Sequence, residues 1–298
     1  MYRHDAEKPL LSVVTAIVIT AVTAIAMWTP VILDNYNIEL KILAPLFFIV
    51  SALIVIWSCY TSNTIKGNLV TPALFITLCC GTLGYTDGWY KGFICCILVL
   101  VSYLITLNFY KSKDTVWRVF DVMLILSASF FVDQSVIWII PAFIIGFGIF
   151  DALNVRNLVA CLFGLGLPFG VVAAYYYFCD DICMFQHYIT DITINPIFTN
   201  LRIADAIVYG CIGVYTLCAL VAYALNYQKQ SIQFRSSVLF TFIIILLSTL
   251  MEEPLTLILV SIPLSIYVER SKSTFHKILF YTFLAIMLLI FLFKTIVI

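Results

Sequence analysis

"SFFVDQSVIWIIP", residues 129–141, decides how the chain is read. Apolar residues run up to Asp133, stop for Asp133-Gln134-Ser135, and resume through Trp138 to Pro141. The flanking arms, 119–133 and 135–150, are each shorter than the roughly 20 residues that cross a bilayer comfortably. The stretch is a broken span, a re-entrant hairpin or the tip of two short crossings. Its carboxylate is accordingly a turn residue or a working group.

The surroundings point to a membrane. Of 298 residues, 63% are hydrophobic and 11% charged, with a mean hydropathy of +1.08. Soluble domains carry roughly 25% charged residues, and no soluble fold could cover so much apolar surface. A β-barrel would alternate apolar and polar positions, whereas the apolar runs here are continuous. The expected class is therefore all-α, a polytopic integral membrane protein. Net charge is zero and no basic patch carries interleaved aromatics, so nucleic acid is not an expected partner; membrane lipids are. The N-terminal apolar run, from Leu10 to Trp28, is too long for a signal-peptide core and reads as a retained first helix.

Eleven candidate helices follow: 10–29, 42–60, 69–85, 91–109, 119–133, 135–150, 157–178, 203–226, 236–251, 254–268 and 277–297. With the N-terminus inside and the C-terminus outside, 12 of the 16 Lys and Arg residues fall on one side; Lys41, Lys91, Arg202 and Lys294 fall on the other. The rich side belongs in the cytoplasm. Two pairs, 119–150 and 236–268, are short, and neither is assigned a complete crossing. The segment 179–202 is a long semi-polar outer element, either amphipathic on the membrane surface or folded over a cavity mouth. The whole chain is expected to form one transmembrane domain, with a parallel internal echo between 118–178 and 235–297. Paired short, Pro-interrupted segments mark cavity-lining helices in several membrane folds.

Chemistry-bearing motifs are few. Most of the ten cysteines lie in apolar runs, where cysteine behaves as a small hydrophobe. Cys179 and Cys183, in "CDDIC", either bridge in an oxidising compartment or remain two free thiols. Zinc needs about four N/S/O ligands, and His187 is the only histidine near them, so neither a metal nor a cofactor is expected. "GLGLPFG", 164–170, has no lysine and reads as close helix packing with a Pro kink. What remains is a set of outer acids: Asp34 and Glu39 in the first outer loop, Asp133, and the pair Glu252-Glu253. Tips are wet and carry acids for that reason alone. Held below the membrane surface, however, such groups suit a general base, a metal ligand or a proton-coupled site. Arg202 is the candidate phosphate contact, its planar fork matching phosphate oxygens.

The stretch from "FDVMLILSASFF" through "IWIIP" to "FDALNVRNLVACLFGLGLPFGVVAAYYYF" resembles a family of uncharacterised multi-spanning bacterial envelope proteins. Its layout is similar to polytopic glycosyltransferases that use polyprenyl-phosphate-linked sugars. That resemblance implies an acid in the first outer loop acting as catalytic base or helping to hold a metal, a position matched by Asp34, with Glu39 as the alternative. It also implies a polyprenyl-linked substrate, an outward-facing groove touching Arg202, Asp133, Glu252 and Glu253, and residence in the bacterial cytoplasmic (inner) membrane. The first outer loop is shorter than in those enzymes, and no outer C-terminal domain is expected. Two other classes fit the same residues: a non-catalytic subunit of a larger envelope complex, and a secondary transporter.

Overall fold

The computed structural model describes residues 89–109, 115–190 and 232–250, with single helical positions between 209 and 221 and between 278 and 289. The expected helices 10–29, 42–60, 69–85 and 254–268 lie outside the described residues, as does most of the second half of the internal echo, of which 235–250 is described. The chain divides into two compact units. One comprises 94–199 with 235–253 and holds nearly all the described structure.

Six α-helices are described: α1 (Trp89–Leu107), α2 (Thr115–Phe130), α3 (Ile140–Ile149), α4 (Val155–Phe178), α5 (Ile182–Thr190) and α6 (Ile232–Ser248). A 3-10 turn, Gln134–Trp138, joins α2 to α3. No strand occurs among the described residues, in keeping with the all-α class. α1, α2, α4 and α6 begin two or four residues before the positions expected from the apolar runs, because their first turns recruit polar and basic residues, whereas α3 begins at Ile140, five residues after the expected 135, behind the turn Gln134–Trp138.

α2 and α4 form the main packed pair. The buried positions of α4 are Asn157, Ala160, Cys161 and Gly164, a stripe at helical spacing made of small side chains. Small residues let two backbones approach closely. At Gly164 the approach is extreme: a Cβ there would lie 2.7 Å from the Phe120 carbonyl oxygen and 2.9 Å from Met123 Cβ. α2 answers with Val119, Val122, Met123, Leu126, Ser127 and Phe130, all buried on one face.

The register is parallel. Asn157 meets Thr115 (2.8 Å) and Ser127 Oγ donates to the Leu165 carbonyl (2.8 Å). Phe169 packs on Phe130 and Phe131 with ring centroids 5.1 and 5.0 Å apart. Pro168 sits inside α4 and brings no N–H to the Gly164 carbonyl; the Ser127 bond supports the neighbouring carbonyl at that weak point. The two helices therefore start level and end unequally. α2 stops beside Phe169, while α4 runs on to Phe178, roughly 13 Å further at the helical rise per residue.

α1 runs antiparallel to α2. Cys95 Sγ reaches the Ser129 carbonyl (3.5 Å) at one end, and Arg118 donates to the Asn108 carbonyl (2.9 Å) at the other. The Arg118 contact places a cation at the carbonyl-rich end of α1, where it is favoured. The rest of the core gathers on Phe240 of α6, which stacks on Tyr103 (5.6 Å) and meets Phe143 and Phe150 edge-on (5.3 and 5.7 Å). Gly146 of α3 leaves the notch that this ring fills. Tyr103 donates to Thr241 Oγ1 (2.7 Å), since the one Thr241 hydroxyl proton goes to the Ser237 carbonyl (2.7 Å).

α4 is the one described helix long and apolar enough to cross a membrane, and 17% of its most apolar window is buried within the chain. A core helix of a soluble protein would be mostly covered. Here Leu162, Phe163, Leu167, Val171 and Phe178 are exposed.

Candidate functional site

The site is built by the way α2 ends. Val132 and Asp133 both donate to the Ser129 carbonyl (3.0 Å each), after which Asp133 turns to extended backbone (φ −146°, ψ 118°). Its Oδ1 accepts the Ser135 N–H (2.9 Å). Asp offers the backbone this local alternative to helix, so it stops helices and starts turns. Pro141 then falls in the first turn of α3, where its missing N–H is tolerated, but it prevents the 3-10 turn from merging with α3. The expected helical pair 119–150 is thus two arms about an Asp-initiated turn.

The turn carries polar groups without partners. Ser135 Oγ and Trp138 Nε1 are closed off from solvent and make no hydrogen bond. Leaving such a group unpaired costs about 1–3 kcal/mol each. In 3-10 geometry side chains three apart eclipse, so Ser135 and Trp138 share a face. Asp133, two residues before Ser135, is half-buried beside them. The turn thus holds a carboxylate with one oxygen engaged, an unpaired hydroxyl and an unpaired indole N–H. Neither Ser135 nor Trp138 stands out in the sequence; the Asp-x-Ser spacing was the available signal.

The opposite end of the pair uses every donor of its buried asparagine and leaves one acceptor, Asn157 Oδ1, unpaired. Asn157 is 2% exposed. Its Nδ2 donates to Thr115 Oγ1 and to the Ala152 carbonyl, and its N–H is taken by Asn154 Oδ1 (2.8 Å), which caps α4. α3 and α4 both close with a left-handed residue, Asp151 (φ 55°) and Asp180 (φ 56°). In each, the following N–H reaches back to Phe147 or Tyr176, and the Asp N–H to Gly148 or Tyr177. This double closure satisfies the last helical carbonyls, usually with glycine at the left-handed place.

Of the expected site residues, Asp133 is the one described; Asp34, Glu39, Arg202, Glu252 and Glu253 lie outside the described residues. In 179–202, residues 182–190 form α5, which returns Phe185 to Tyr176 (6.2 Å). Cys179 and Cys183 are two exposed free thiols. Among the described residues no group of three or more His, Cys, Asp or Glu could hold a metal. Comparison of the chain with protein-family models, with curated proteins and with solved structures returns no match.

Proposed function

We propose that the chain is a polytopic protein of the bacterial cytoplasmic membrane, with about eleven helices, that handles a lipid-linked envelope precursor in the manner of a glycosyltransferase. The observation that carries this reading is the stagger of α2 and α4. With α4 spanning, the Asp133 turn ends beside Phe169 rather than beside Phe178. Polar groups then lie beneath the outer headgroups, next to a long exposed apolar face. An amphipathic substrate needs that pairing: a wall for the chain and polar contacts for the head. Tyr175 and Tyr177, both exposed near the end of α4, suit the interfacial aromatic belt. Asp34 or Glu39 is the proposed base, Arg202 the phosphate contact, and Glu252 and Glu253 further acids of the groove.

Purified chain, reconstituted with an intact polyprenyl-phosphate-linked sugar donor, tests the reading. Transfer or hydrolysis of the donor is expected, lost in Asp34→Ala or Glu39→Ala and weakened in Arg202→Ala. Turnover unchanged in all three variants removes the proposed catalytic roles.

A second reading, a non-catalytic subunit of an envelope complex, has its own observation. Gly166 and Gly170 lie four apart on α4, exposed, with nothing within 4 Å of a Cβ at either. That spacing is a helix-association face in membranes. Co-purification of a partner in mild detergent, lost in Gly166→Leu, favours this reading; a chain that always runs alone excludes it.

A further inference from the structure

We propose that the turn Asp133–Trp138 is a subsite for a neutral polyhydroxyl group, the sugar end of an amphipathic molecule. The proposal deepens the lipid-linked reading and rests on it for the ligand's apolar tail. Asp133 commits Oδ1 to the Ser135 N–H at 2.9 Å, leaving Oδ2 to accept. Ser135 Oγ both donates and accepts, and Trp138 Nε1 donates; both are buried and unpartnered. Their three-residue spacing in a 3-10 turn aligns them on one face.

A sugar presents neighbouring hydroxyls, each of which gives one hydrogen and takes another. Acceptor, ambivalent hydroxyl and donor in sequence complement that pattern. The indole adds an apolar plane for the C–H face of the ring. Charge selects against other heads. The carboxylate repels phosphate, and residues 119–155 contain no Lys or Arg to offset it. A metal ion would satisfy Asp133 and leave the Trp138 N–H unpaired. Because Ser135 Oγ and Trp138 Nε1 are closed off, the ligand enters as the Trp138 ring swings aside. That motion breaks no hydrogen bond to the indole and lets new ones form.

The test uses the full chain in phosphatidylethanolamine–phosphatidylglycerol vesicles and a decyl glucoside with a diazirine beside its head. Photolabel is expected on the peptide containing residues 131–139, competed by decyl maltoside but not by decyl phosphocholine. Ser135→Ala and Trp138→Phe each remove one hydrogen bond and are expected to lower labelling about tenfold. Asp133→Asn keeps the turn-starting oxygen, preserves the unfolding midpoint, and lowers labelling similarly by replacing the second acceptor. Label spread along the helices, equal competition by decyl phosphocholine, or labelling unmoved by all three variants overturns the subsite. Competition by free maltose as strong as by decyl maltoside sustains the hydroxyl site but overturns its lipid-linked occupant. The donor-turnover assay separates the two claims. Turnover with an unlabelled turn sinks the subsite alone, and a labelled turn without turnover sinks transfer alone.

Discussion

The two ends of the α2–α4 pair solve opposite problems. At the Thr115–Asn157 end the helices start level, every donor of a buried asparagine is used, and a basic residue caps the neighbouring helix. At the Phe130–Phe169 end one helix stops, the other continues, and hydroxyl and indole groups are left without partners. The anchored end leaves one acceptor unpaired, Asn157 Oδ1, and the staggered turn leaves two groups unpaired, Ser135 Oγ and Trp138 Nε1. Among the described residues, two of the four unpaired buried side-chain atoms lie three residues apart on the staggered turn, the other two being Ser102 Oγ and Asn157 Oδ1, and each such group calls for an explanation.

Substitutions should separate the ends by size of effect. The largest falls at the anchored half. Gly164→Ala pushes a methyl into the Phe120 carbonyl, which cannot rotate away, and should cost about 1–3 kcal/mol in SDS-unfolding titrations. Gly166→Ala meets nothing and should be neutral or up to about 1 kcal/mol stabilising through helix propensity. Equal effects of the two would break the account of the parallel register. Next comes Asn157→Leu, which strands the Ala152 carbonyl and Thr115 hydroxyl and should cost about 1–3 kcal/mol by the same titration. Asp133→Ala removes a turn-starting bond and should cost about 1 kcal/mol, Asp133→Asn almost nothing. The smallest effect has the opposite sign. Asp180→Gly relieves a left-handed backbone and should add about 0.5 kcal/mol.

Much of this was legible in the sequence, and the reason differs by element. The turn at Asp133 is local chemistry: an acid, a polar pair and a downstream proline end one helix and start another whatever surrounds them. α4 was legible because its apolar run is long and uninterrupted. "GLGLPFG" was legible in part. Gly164 packs as expected, but Gly166 and Gly170 face outward, and only the position of α2 distinguishes them. The stagger was not legible. It depends on which small residues of α4 seat α2, namely Asn157, Ala160, Cys161 and Gly164, a tertiary choice with no periodic signature of its own. The unpaired atoms of Ser135 and Trp138 were hidden for the same reason, since a serine and a tryptophan in an apolar run look ordinary until their neighbours are known.

The central claim is depth: the Asp133 turn lies beneath the outer surface, while the end of α4 reaches it. A cysteine scan in intact cells reads this directly, in a background stripped of native cysteines, with a membrane-impermeant maleimide. Cysteine restored at 179 or 183, both exposed beyond α4, supplies the surface rate. Cysteine placed at positions 131–136 should react at least about tenfold more slowly, recovering when a small permeant maleimide is used. Equal rates at 133 and 179 would place the turn level with the headgroups and contradict the account.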